Sequence, residues 1–158
     1  MRSRRHLALA LALTLYLALP GVAVSGERVP FRGGDTGHFE IPGPCANGLQ
    51  VVIGGSGVAT HLGRYAISVI ECFDPATGAI AGSPTFVAAN GDRLLGSYVG
   101  AVSPTGDPDV IRYDEVITID GGTGRFAEAT GELDVVGFAN LVTGEYRQSV
   151  TGWITVGG

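Results

Sequence analysis

Two glutamates stand where a carboxylate is out of place. Glu115 shares the alternation of Ile111, Tyr113, Ile117 and Ile119, and Glu71 shares that of Tyr65, Ile67, Val69 and Phe73. Alternate side chains of an extended chain point to one face, so each carboxylate is expected on an apolar face. There a carboxyl group holds its proton more tightly unless a partner meets it, which suits proton transfer or the steering of a cationic intermediate. Two competing accounts exist: a bulge that turns the carboxylate outward, or pairing with an arginine such as Arg64 or Arg93. His61, in the glycine-rich stretch Gly55–Gly63, is a further acid or base. Its alternative is a histidine hydrogen-bonded to its own loop. Glu115, His61 and Glu71 form the candidate catalytic set, with Tyr65, Tyr98 and Tyr113 as candidate ligand contacts. Asn90, Asp92 and Arg125 could add an amide, a carboxylate and a guanidinium. Asn90-Gly91-Asp92 is equally a turn former, and Arg125 has Asp92 and Glu128 as ion-pair partners.

Other chemistries are excluded by composition. All 10 basic residues are arginine, which removes Schiff-base catalysis and a lysine-bearing phosphate loop. The net charge of −5 lacks the basic stripe that nucleic acid needs. After His6, only His38 and His61 remain, without ligand spacing, so no metal and no cofactor are expected. Gly54-Gly55-Ser56-Gly57-Val58 lacks the last glycine of a nucleophile elbow.

The elements that must carry these residues are strands. Residues 1–25 read as a cleaved signal peptide: Arg2, Arg4 and Arg5, an apolar run from Leu7 to Leu19, then Pro20-Gly21 and small residues. Ser3-Arg4-Arg5 hints at the twin-arginine route, but the strongly apolar run fits the general secretory one. Cleavage leaves one domain, 26–158, with a net charge of about −8 and a secreted or periplasmic destination, with no membrane attachment. In that compartment Cys45 and Cys72 are expected to form a disulfide.

No segment of the domain keeps a helical period. Alternating runs punctuated by Gly, Pro, Asp and Asn predict eight strands: Arg28–Ile41, Gly48–Gly54, Arg64–Phe73, Ile80–Ala89, Arg93–Ser103, Val110–Asp120, Gly131–Asn140 and Glu145–Val156. Short connections and one-faced alternation point to an all-β, eight-stranded antiparallel up-and-down (calycin-like) barrel, with a two-sheet sandwich as the alternative. Up-and-down order puts loops 2–3, 4–5 and 6–7 at one end, where a ligand mouth is expected. The two cysteines fall at the other end.

The segment Gly121-Gly122-Thr123-Gly124-Arg125-Phe126-Ala127-Glu128-Ala129-Thr130-Gly131 resembles the loop before the seventh strand in the allene oxide cyclase and dirigent barrel superfamily. Ala59–Arg64 and Ala88–Asp92 resemble segments of exported bacterial proteins of this kind. The resemblance implies a calycin-like barrel, often a homotrimer, with an apolar cavity for a small apolar molecule. It implies no single activity: allene oxide cyclases are isomerases, whereas dirigent proteins steer radical coupling. The same glycines imitate a dinucleotide fingerprint, but a β-type run from Glu132 to Val136 follows where a helix would be required. The simpler account is a single helical turn over 125–129 with Phe126 plugging the barrel end. The functional expectation is an exported small-molecule-binding barrel. An isomerase or cyclase acting in the same cavity, and a non-catalytic dirigent-like or structural trimer, are the alternatives.

Overall fold

The structure is a computed structural model that describes residues 26–157. The segment read as a signal peptide lies outside the described residues. The chain forms a closed antiparallel barrel in which every strand pairs with its neighbours in sequence, and the first pairs with the last. The strands are β1 (Glu27–Cys45), β2 (Gly48–Ala59), β3 (Gly63–Phe73), β4 (Ala79–Ala88), β5 (Arg93–Pro104), β6 (Val110–Gly122), β7 (Gly131–Asn140) and β8 (Glu145–Val156). This is the expected all-β meander. Closure leaves no edge strand to recruit another chain.

Two boundaries differ from the sequence reading by more than two residues, and both involve glycine. β1 continues to Cys45 through a register shift between Glu40 and Gly43. β2 continues to Ala59, so the loop expected over Gly55–Gly63 shrinks to a turn at Thr60–Leu62. Gly55 and Gly57 are strand residues, and Gly55 lies opposite Gly37. They are not there to bend the chain. A Cβ on Gly55 would stand 2.2 Å from the Tyr146 hydroxyl, and one on Gly57 would stand 2.6 Å from the Asp35 Cβ. These glycines vacate space inside the barrel that other side chains occupy.

The two ends of the barrel are built differently. At the end of loops 2–3, 4–5 and 6–7 the interior is packed with Phe31, Phe86, Leu94, Leu133 and Ile154, all at most 1% exposed. Phe126, on the short 3₁₀ turn Gly124–Phe126, is fully buried against this layer. The turn is clamped from outside. Thr123 N–H donates to the Arg93 carbonyl at 2.8 Å, and Arg93 N–H donates to Thr123 Oγ1 at 2.9 Å. Gly124 has φ +58°, and a Cβ there would meet the Asp92 carboxylate at 2.0 Å. This is the plugged end that the glycine loop predicts.

At the opposite end a disulfide joins Cys45 to Cys72, tying the β1–β2 turn to the last residues of β3. The two residues are 27 apart in sequence. Replacing both with serine is expected to lower the unfolding free energy by roughly 3–4 kcal/mol, the chain-entropy value for a loop of this length, seen as a lower urea midpoint. Phe126→Ala should cost a similar amount, about 3–5 kcal/mol, because it opens a void against a fully packed layer. The same denaturation series compares the two.

Candidate functional site

Alternation in β3, β5, β6 and β8 sends Glu71, Tyr98, Tyr113, Glu115, Tyr146 and Gln148 to the inside, above the packed layer. No bulge intervenes in β6 at Glu115, so the outward-facing alternative does not apply. No arginine reaches either glutamate among the described residues. Instead the polar groups partner one another. Tyr98 Oη donates to Glu71 Oε2 at 2.6 Å. Tyr65 Oη donates to Asp35 Oδ2 at 2.6 Å, and Tyr146 Oη donates to Asp35 Oδ1 at 2.8 Å. Gln148 Nε2 donates to Asp35 Oδ2 at 3.1 Å, and Gln148 Oε1 accepts from Tyr113 Oη at 3.0 Å.

Cross-strand glycines make this layer possible. Gly82 lies opposite Tyr98, Gly137 opposite Tyr113, and Gly100 opposite Glu115. A Cβ on Gly137 would sit 2.1 Å from the Tyr113 ring, and one on Gly82 would sit 2.6 Å from the Tyr98 ring. Each large polar side chain therefore leans across a neighbour that has none.

Glu115 is the exception to this mutual pairing. It is only 9% exposed and has no hydrogen-bond partner among the described residues. No side-chain N or O atom among those residues is sealed off without a partner, so the Glu115 oxygens look onto open space. Burial, then the charges of Glu71 and Asp35, push its pKa up from 4.5 to about 8. Burial also raises Glu71, while the hydrogen bond from Tyr98 works against that rise. Burial and the neighbouring carboxylates hold Tyr65, Tyr98, Tyr113 and Tyr146 well above the ordinary tyrosine range, so all four remain neutral donors.

The open space is a cavity of about 180 Å³. Its walls are Ile53, Ile67, Val69, Pro84 and Ile117 together with the polar groups above, and Phe39, Phe73, Val102, Ile111 and Leu141 ring its mouth. Those rim residues lie beside loops 1–2, 3–4, 5–6 and 7–8. The mouth therefore opens at the disulfide end, not at the glycine-loop end where the sequence reading placed it. The physical reason is Phe126 and the layer beneath it, which fill the other end.

This relocation sorts the sequence candidates. Glu115, Glu71, Tyr98 and Tyr113 line the cavity together. Tyr65 lies deeper and reaches the site through Asp35. His61, Asn90, Asp92 and Arg125 lie at the plugged end, away from the cavity. His61 is exposed in the β2–β3 turn with φ +64°. Asn90 and Asp92 bond to each other within their turn, and Arg125 sits 3.7 Å from Asp92. The turn and ion-pair alternatives describe these residues. Asp35, Tyr146 and Gln148 were not among the sequence candidates. The signal for Gln148 was available in the alternation of Tyr146, Val150 and Ile154. Asp35 shares that of Phe31 and Phe39, masked by flanking glycines.

No group of three His, Cys, Asp or Glu among the described residues is arranged to hold a metal ion. Comparison with protein-family models, with curated proteins and with solved structures returns no match for this chain. The class is accordingly defined by its own geometry: a closed eight-stranded antiparallel barrel, plugged at one end and hollow at the other.

The raised pKa of Glu115 makes stability depend on pH in an uncommon direction. Between pH 4.5 and about 8 the folded state binds more protons at this site than the unfolded state does. The unfolding free energy contributed by Glu115 is complete below that window and is lost as pH rises through it. Glu115→Gln is expected to raise the melting temperature relative to the parent by more at pH 8 than at pH 5. Equal shifts at the two pH values would contradict the burial of this carboxyl group.

Proposed function

We propose that this protein is an exported small-molecule-binding barrel whose cavity takes a compact, mostly apolar ligand through the disulfide end. The observation that carries this reading is the cavity of about 180 Å³, enclosed by aliphatic and aromatic side chains in a barrel otherwise packed solid. An apolar cavity of about 150 Å³ is large enough to hold benzene. A few placed polar groups on an apolar wall are what small-molecule sites commonly present. Export is supported by the character of residues 1–25 and by the disulfide, which belongs to an oxidising compartment. Among the described residues, no helix is long and apolar enough to cross a membrane.

Membership of the allene oxide cyclase and dirigent superfamily is part of the same proposal. The meander order and the buried Phe126 of the glycine loop support it. A homotrimer would cover the exposed outer-face residues Ile70, Val99 and Val116. A second reading, an isomerase or cyclase acting on an apolar substrate, is favoured by the place of Glu115: it stands buried and without a partner on the cavity wall, where burial pushes its pKa up to about 8, in the range that suits a general acid.

Calorimetric titration with 2-phenylethanol tests the binding reading. Ala139→Phe, which fills the cavity beside the mouth, is expected to abolish binding. His61→Ala and Asn90→Ala are expected to leave it unchanged. The reverse pattern would place the site at the plugged end and overturn the assignment.

A further inference from the structure

The cavity holds acids without bases. Glu115 on β6 faces Glu71 from β3, Asp35 from β1, Tyr98 from β5, Tyr113 on its own strand, and Tyr146 and Gln148 from β8. β2, β4 and β7 contribute only apolar residues such as Ile53, Pro84 and Ala139 to the lining. No arginine or histidine lines the space among the described residues. A buried carboxylate normally ends up paired, because the cost of an isolated charge exceeds what folding tolerates. Asp35 and Glu71 meet that condition through tyrosine and amide donors. Glu115 does not, although it is nine-tenths buried and its oxygens face the cavity.

The approach to the cavity carries the same sign. The four loops around the mouth contain Asp74, Asp107 and Asp109 and no cationic residue, and Glu145 begins β8 beside them. Arg112, the nearest arginine in sequence to the β5–β6 loop, is committed to Asp114. Arg28, Arg32, Arg64, Arg93 and Arg125 stand at the plugged end, and Arg147, near the mouth on β8, is exposed on the outer face with its guanidinium over the Phe138 ring. An acidic rim over a low-dielectric cavity concentrates cations at its entrance and disfavours anions.

We propose that the cavity selects an amphiphilic organic cation, about one aromatic ring in size and bearing an ammonium group, with Glu115 as its counter-ion. The inference rests on the small-molecule-binding reading and deepens it. The apolar body would occupy the space between Ile67, Val69 and Ile117, where the walls are aliphatic. The ammonium group would meet the Glu115 oxygens, with the neutral rings of Tyr98 and Tyr113 beside them for cation–π contact. An inorganic divalent ion does not fit the same groups, because the three carboxylates do not converge as ligands. Binding draws Glu115 into its ionised form, and the proton leaves for solvent.

The test compares three probes of nearly one shape by calorimetric titration of the disulfide-bonded protein: phenethylamine, 2-phenylethanol and phenylacetate. Phenethylamine is expected to bind at least about tenfold more tightly than 2-phenylethanol, as for a charge-assisted hydrogen bond in a desolvated site. Phenylacetate is expected to bind least. The affinity for the amine should rise between pH 6 and pH 8, with proton release detected in buffers of different ionisation enthalpy. In Glu115→Gln the ratio of amine to alcohol affinity should fall to near one and lose its pH dependence, with thermal melting confirming that the variant is folded. Equal binding of amine and alcohol by the parent, or preference for the carboxylate, would overturn this inference and leave the binding reading standing. Binding of none of the three would remove both.

Discussion

The narrow interior of an eight-stranded barrel is the constraint on which everything else depends. A barrel of this size has room for packed side chains or for one small ligand, but not for both at the same height. This chain divides its axis. Phe31, Phe86, Leu94, Phe126 and Leu133 fill one half completely, and the other half is lined and left hollow. Inward-facing glycines set the division at its polar border. Gly55, Gly57, Gly82, Gly100 and Gly137 give up their side chains so that Tyr146, Asp35, Tyr98, Glu115 and Tyr113 can lean across them. Without that room, four tyrosines and three carboxylates would not fit into one cross-section.

The packed half and the hollow half serve each other. The plug at Phe126, clamped by Thr123 and Arg93, closes one end with fully buried apolar side chains. That stability lets the other half carry groups that are costly to bury. The disulfide holds the open end by joining the last residue of β1 to the end of β3. The polar layer between the halves is almost wholly self-satisfied, because tyrosine hydroxyls donate to Asp35 and Glu71. Such a network remains rigid only if its members are paired. The one carboxyl group of this layer without a partner, Glu115, has its oxygens toward the open space instead. Charge follows the same axis in part, with five of the seven arginines among the described residues at the plugged end and Asp74, Asp107 and Asp109 in the loops around the mouth.

Much of this was legible in the chain. Alternation placed Glu71 and Glu115 on apolar faces because the period of a strand is local and needs no partner to be read. Turn chemistry at Asp74–Gly78, Asn90-Gly91 and Thr143-Gly144 set the meander, and strand order alone brought Cys45 and Cys72 to one end. Asp35 was hidden because Gly33, Gly34 and Gly37 around it erase the apolar alternation that would have marked its face. Gly55–Gly57 was read as loop for the same reason: a glycine in a strand carries no pattern of its own, and only the side chains across the sheet explain it.

The sequence by itself determined that the chain is an antiparallel all-β meander, that it carries no lysine, and that Glu71 and Glu115 face inward. Those properties follow from local periodicity and from residue types. Only the tertiary structure decided which end is open, that His61, Asn90, Asp92 and Arg125 belong to the plugged end, and that of the three buried carboxylates Glu115 alone lacks a partner. These outcomes depend on volume and distance across the barrel. The space Phe126 fills, and the reach of Tyr98 to Glu71 or of Tyr65 to Asp35, come into being only when the eighth strand closes on the first.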